Sequence, residues 1–164
     1  DRWAALIAAW EMQHMPCVVV NAGTAITIDA LLPAANNPAQ AEFMGGMILP
    51  GLNLMQASLD NAADQLSYQE NVSNMDGNPF NTKTADAMRN GALNAACGAI
   101  QNMLATLNKT YHTHACVMVS GGDAQVIQKH LSKHMENQVI FVDNLVLRGL
   151  YFIYRAQSQQ SGKQ

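Results

Sequence analysis

Hydrophobic and polar positions follow two different periods along this chain, and the switches between them mark out its elements. Trp3, Leu6, Ile7 and Trp10 recur at helical spacing. The helix they predict ends near Met15-Pro16, because proline cannot continue it. The chain therefore opens on a helix already in progress, as a polypeptide cut from something longer would. Two strands follow, over 17–20 and 25–32. In the second, Thr27 and Asp29 alternate with Ile26, Ile28 and Ala30, which gives that strand one polar face. "PAANNPAQAE" reads as a turn from its Pro and Asn content. A third strand over 43–49 stops at Pro50-Gly51, and three short strands in succession suggest an antiparallel meander.

From Leu52 the period becomes helical, with Leu52, Met55, Leu59, Ala62, Ala63 and Leu66 on one face. The polar "SYQENVSNMDGNPFNTKT" leads to a long helix over 85–107, for which Thr84 is a candidate cap. Ala92, Ala95, Ala96, Gly98 and Ala99 on that helix allow another backbone to come close. Next come a strand over 115–119, the turn Ser120-Gly121-Gly122-Asp123, a helix over 124–134 and a strand over 138–142. A final helix, "DNLVLRGLYFIYRAQ", precedes a polar tail over 157–164, read as disordered. After the opening helix over 1–16, the order β-β-β-α-α-β-α-β-α predicts an α/β lobe over 17–156: a mixed β-sheet with helices packed on it.

The composition narrows the class. With 164 residues, 49% hydrophobic and 13% charged, the chain buries a real core and fits one domain or half of a two-lobed protein. A net charge of −3 with no basic cluster speaks against nucleic acid or an acidic membrane as a partner. No apolar run approaches the ~18 residues of a membrane span. Cys17, Cys97 and Cys116 are widely spaced among apolar neighbours, which predicts buried free thiols and a cytoplasmic protein. The five histidines sit in polar settings; His130 and His134 share a helical face, but no acidic partner completes a metal pattern.

Three glycine-bearing stretches carry the candidate chemistry. The elbow 21–25, Asn-Ala-Gly-Thr-Ala, offers successive backbone N–H groups, close approach at Gly23 and the Thr24 hydroxyl, features that suit a phosphate tail. An ordinary strand-to-strand turn is the plainer reading of the same residues. "GGMILPG" places paired glycines in a strand, the mark of a bulge or of another backbone passing close. "SGGDAQ" follows an apolar strand and opens a helix, so a base or phosphate can lie over Gly121 and Gly122, with Asp123 capping. At the start of the chain, Asp1 beside Arg2 pairs a potential base with an anion clamp.

In order and spacing, "DRW", "VVVNAGTAITID", "GGMILPGLNLM", "FNTKTADAMRNGALNAACGAI", "VMVSGGDA" and "DNLVLRGL" resemble type III pantothenate kinase over almost all of the chain. Related transcription-associated accessory proteins share this pattern. The resemblance implies the second, ribonuclease-H-like lobe of a two-lobed actin-like ATPase fold, without the first lobe and its phosphate loop. It implies phosphorylation of pantothenate by ATP, the first step of coenzyme A synthesis, in a homodimer with Mg²⁺ and a monovalent cation, K⁺ or NH₄⁺. By this resemblance Asp1 is the catalytic base, Arg2 and Thr84 bind substrate (Thr84 across a dimer interface), and Gly23, Thr24, Gly121 and Gly122 bind ATP. Asn21 stands at the monovalent-cation position where the family has Asp, and Lys83 replaces the Asn before Thr84. An amide keeps a carbonyl oxygen for a cation but loses the full charge. A regulatory relative that keeps the dimeric fold without catalysis is the alternative, and residues 1–164 by themselves are expected to be inactive.

Overall fold

A computed structural model of the chain describes residues 1–62, 75–133, 135 and 139–161. Its elements are α1 (Arg2–Gln13), β1 (Cys17–Ala22), β2 (Ala25–Ala34), β3 (Asn37–Pro50), α2 (Leu52–Ala62) and α3 (Thr84–Tyr111). They continue with β4 (Cys116–Ser120), α4 (Ala124–Leu131), β5 (Val139–Phe141) and α5 (Leu145–Ser161). The five strands form one mixed sheet in the order β3-β2-β1-β4-β5. The expected antiparallel meander is there, with β1 to β3 pairing in turn, and β4 and β5 extend the sheet parallel to β1.

Both faces are covered, which explains the unbroken apolar run of β1. Val18, Val20, Ile26 and Ile28 point to one core with Leu93, Ile100 and Ile127 of α3 and α4. Cys17, Val19, Leu31 and Met118 point to the other, with Leu6, Ala8, Ala9 and Trp10 of α1 and Leu145 of α5. α1 and α5 cross backbone to backbone: a Cβ added at Gly149 would lie 1.7 Å from the Ala4 carbonyl oxygen. That crossing holds the start of α1 against this sheet.

Several boundaries differ from the periodicity reading. The "PAANNPAQAE" segment is mostly strand, since only residues 35 and 36 turn and β3 already begins at Asn37. Residues 37–43 are exposed there, so backbone pairing rather than side-chain burial makes the strand and no alternation betrays it. Pro33 is tolerated because β2 at that point runs beyond the end of β1 and needs no N–H on that side. Trp10 Nε1 donates to the Ala39 carbonyl at 3.3 Å and ties this hairpin to α1.

α1 stops at Gln13 because His14 turns left-handed (φ 49°), ahead of Pro16. His112 (φ 50°) closes α3 in the same way, four residues later than the apolar pattern indicates. α5 runs on to Ser161, so part of the presumed tail is helix. His130 is buried, 8% exposed, against the expectation of a polar setting. Ala63, Leu66 and His134 lie outside the described residues.

All three cysteines are buried and free. Cys17 and Cys116 are register neighbours, and the adjacent Cys116 thiol together with burial pushes the Cys17 thiol up. Burial pushes Cys97 up to about 12.

Candidate active site

Gly23 and Thr24 are the whole connection between β1 and β2. The Gly23 N–H donates to the Ala25 carbonyl at 3.0 Å, so this amide closes the elbow and is not on offer to a ligand. That narrows the run of oriented amides expected there. The Gly51 N–H, just after β3, donates to the Thr24 carbonyl at 2.8 Å and pins the elbow from one side. Outward, the elbow presents exposed Thr24.

The glycines divide into two kinds. A Cβ at Gly51 would lie 2.1 Å from the Gly23 carbonyl oxygen. At Gly121, where φ is +101°, it would lie 2.2 Å from the Ala22 carbonyl oxygen. These two let the loops after β3 and β4 press onto the elbow backbone, and the Asp123 N–H adds a bond to the Ala22 carbonyl at 3.1 Å. Three glycine motifs distant in sequence thus meet at one spot. Gly23 and Gly122 are different: among the described residues the nearest atom to a Cβ at Gly23 is 4.0 Å away, and none lies within 4 Å of one at Gly122. The described residues do not crowd them, and leave space above them for a ligand.

Beyond the glycines, Asn21, Gly121, Gly122, Asp143 and Asn144 border a cavity of about 370 Å³ at the carboxyl ends of parallel β1 and β4. Ligands of open α/β sheets bind at such ends. Buried Ser120 accepts the Leu145 N–H on Oγ at 3.2 Å, which sets the start of α5 beside the glycine loop. Left-handed Asn144 (φ 54°) makes the tight entry into that helix. Asp123 stands at the N-cap of α4 without a side-chain cap bond, and partial burial raises its carboxyl pKa. Asp143 and Asn144 are site residues that periodicity did not single out; the one available signal was an Asx pair before a helix.

Asn21 is half-buried and lies in register between Thr27 and Ser120. Asn21 thus has a hydroxyl residue on each neighbouring strand, and Asp143 borders the same cavity. Among the described residues no group of three or more His, Cys, Asp or Glu could hold a metal ion.

On the α1 side of the sheet, Arg2 meets Asp29 of β2. The guanidinium donates from Nε to Asp29 Oδ2 at 3.1 Å and from Nη2 to Oδ1. Asp29 is only 2% exposed, whereas the Arg2 side chain is 38% exposed. The hydrogen bond to Asp29 raises the Arg2 pKa further. Asp1 occupies the N-cap position of α1, exposed and with no side-chain cap bond. Asp29 figured in the sequence reading as one polar position on a strand face; its pairing with Arg2 emerges from the fold.

Thr84 is the first residue of α3, not its cap, which is extended Lys83. The loop ahead of it is fastened by buried Asn90, which accepts the Gly77 N–H at 2.9 Å and donates to Asn81 Oδ1 at 3.1 Å. α3 covers the face of the sheet opposite α1. The structure therefore brings together Asn21, Gly23, Thr24, Gly121 and Gly122, and seats Asp1 and Arg2 on the α1 side. No described contact joins Thr84 to either group.

The family model of type III pantothenate kinase matches residues 1–106. The type III pantothenate kinase of Methylobacillus flagellatus is 42% identical over 94% of this chain and 60% of its own length. That of Nitrosospira multiformis is also 42% identical, over 97% of this chain and 55% of its own. The chain thus spans a little over half the length of these curated relatives. Among solved structures, a Campylobacter jejuni protein described as a Baf family transcriptional activator aligns with a TM-score of 0.59 at 25% identity, over 95% of this chain and 65% of that one. Xylulose kinase from Rhodospirillum rubrum aligns with a TM-score of 0.59 at 16% identity, over 92% of this chain and 40% of that one. The last likeness bears on the fold alone, that of a ribonuclease-H-like lobe of the actin-like ATPase and sugar kinase class.

Proposed function

The chain belongs to the type III pantothenate kinase family, and from that premise we propose that the protein containing it transfers the γ-phosphate of ATP to the primary hydroxyl of pantothenate. This is the first step of coenzyme A synthesis, carried out in the cytoplasm. The observation that carries the reading is the convergence of the elbow, Gly51 and Gly121 into one backbone cluster, with open space over Gly23 and Gly122.

Phosphoryl transfer asks a protein mainly for alignment and charge stabilisation. The Thr24 hydroxyl takes the phosphate tail, and Gly23 leaves it room. The adenosine lies over Gly122, while Gly121 shapes the loop. Asp1 accepts the proton of the pantothenate hydroxyl as its oxygen attacks the γ-phosphorus and ADP leaves. Arg2 binds the acceptor. Asn21 would hold the monovalent cation, K⁺ or NH₄⁺, through its neutral amide oxygen, and Mg²⁺ bound to the ATP phosphates would offset their charge. Thr84 reaches pantothenate from the partner in a homodimer, in keeping with the place of α3 on the opposite face of the sheet from α1.

The deciding experiment measures ATP consumption by the complete protein with and without pantothenate. Turnover only with pantothenate supports the reading; equal turnover without it overturns it. A second reading, a non-catalytic accessory protein of the same fold, is favoured by Asn21 in place of a carboxylate and by the likeness to the Campylobacter jejuni protein. Titration calorimetry separates the two, since the accessory reading expects neither ATP nor pantothenate to bind.

Asn21→Asp tests the cation position. A carboxylate at contact distance gains at least ~1 kcal/mol of attraction for a cation even in high dielectric. Half-maximal activation by K⁺ is expected at a concentration about five- to tenfold lower. An unchanged K⁺ titration removes Asn21 from that role.

A further inference from the structure

Arg2 is gripped along one edge only. Its Nε and Nη2 donate to the two oxygens of Asp29 in the side-on, two-point arrangement that a carboxylate and a guanidinium favour. A guanidinium has five N–H donors, and those remaining to Arg2 make no hydrogen bond to a described residue. Two of the three lie on its far edge, between Nη1 and Nη2, on a side chain that stays 38% exposed. The Phe43 ring, whose centroid is 5.8 Å from Cζ, limits how the group can tilt, and Trp3 packs on that ring at 5.7 Å.

The carboxylate behind Arg2 has little room to move. Asp29 projects from the middle of β2 and is 2% exposed. A Cβ at Gly46, across the β2–β3 ladder, would lie 2.0 Å from Asp29 Oδ1 and 2.5 Å from the Ile28 carbonyl oxygen. The two glycines of "GGMILPG" thus have separate tasks. Gly45 adopts the positive φ of +110° beside the bulge, and Gly46 makes space for the carboxylate.

We propose that Asp29 is a positioning residue: it holds the side edge of Arg2 so that the free edge grips the carboxylate of the acceptor, and with it sets the preference for an acid over its neutral analogues. This rests on the reading of the protein as a pantothenate kinase. The carboxylate is buried, while the guanidinium it holds stays partly exposed. Pantothenate carries its carboxylate at the opposite end from the primary hydroxyl. An Arg2 clamp reached by the long side chain therefore complements Asp1 without competing for the same atoms.

The test uses the complete protein with three variants, Asp29→Asn, Arg2→Lys and Asp29→Asn combined with Arg2→Lys. Two acceptors are compared, pantothenate and its alcohol analogue, in which the carboxylate is replaced by CH₂OH. Asp29→Asn is expected to raise KM for pantothenate about tenfold or more, to leave KM for ATP within about twofold, and to shrink the discrimination between the acceptors at least fivefold. Arg2→Lys, at a partly exposed position, keeps the charge but lacks the two-edged fork, so it is expected to lose the discrimination too, whether or not Asp29→Asn folds. The double variant is expected to be little worse than either single one, because the two residues act as a unit. Retained discrimination in Arg2→Lys overturns the proposal, as does an equal rise of both KM values in Asp29→Asn. Failure of the unsubstituted protein to phosphorylate either acceptor overturns the kinase reading instead, and the two failures are distinguishable.

Discussion

Replacing Asp1 with asparagine in the complete protein is expected to lower pantothenate-dependent kcat by about a thousandfold, the middle of the range for losing a general base. The pantothenate Kd should change by no more than about threefold, since the amide keeps the shape and an acceptor oxygen. The structure supports this asymmetry. Asp1 stands at the N-cap of α1 and makes no side-chain capping bond to it. Helix capping would be a competing role, and it predicts a loss of stability with turnover intact. Single-turnover kinetics with a parallel melting curve separate the two. Turnover within tenfold of the unsubstituted protein takes Asp1 out of the chemistry.

The second large effect concerns two adjacent glycines that the sequence presents as equals. Gly121→Ala is expected to destabilise the protein by about 2–4 kcal/mol, because the side chain must adopt a left-handed backbone and displace the Ala22 carbonyl. For a domain of this size that is a fall in Tm of roughly 5–12 °C. Gly122→Ala should leave Tm within about 1–2 °C, since no atom of the described residues lies within 4 Å of the added methyl group. It should instead raise KM for ATP about tenfold, the size of one badly placed contact. Thermal denaturation and ATP titration of both variants check the pair. Equal melting points would show that the backbone at Gly121 relaxes freely, and an unchanged KM for Gly122→Ala would move the nucleotide elsewhere.

Much of the lobe was legible because its elements are periodic. The amphipathic opening helix, the apolar run of β1 and the alternation of β2 each report burial directly. Legibility failed where burial and pairing part company. Residues 37–43 form strand while exposed, so no hydrophobic period marks them. His14 and His112 end helices by turning left-handed where the pattern offers no glycine. His130 is buried beneath Gly77, a contact between segments more than fifty residues apart.

The candidate site divides in the same way. The sequence by itself determined which chemical groups are available: a carboxylate and a guanidinium at the start of a helix, a hydroxyl after a glycine at an elbow, two glycines before another helix, and an amide where a charge was expected. The tertiary structure alone decided what each is free to do. It spent the Gly23 amide on closing the elbow, turned Gly51 and Gly121 into packing contacts, and left Gly122 open. It also paired Arg2 with Asp29 and put α3, which Thr84 begins, over the opposite face of the sheet from α1. The physical reason is that availability is a property of a residue, whereas freedom depends on which backbone and side-chain atoms the fold brings within contact distance. Those atoms come from strands and loops that the order of residues alone does not place side by side.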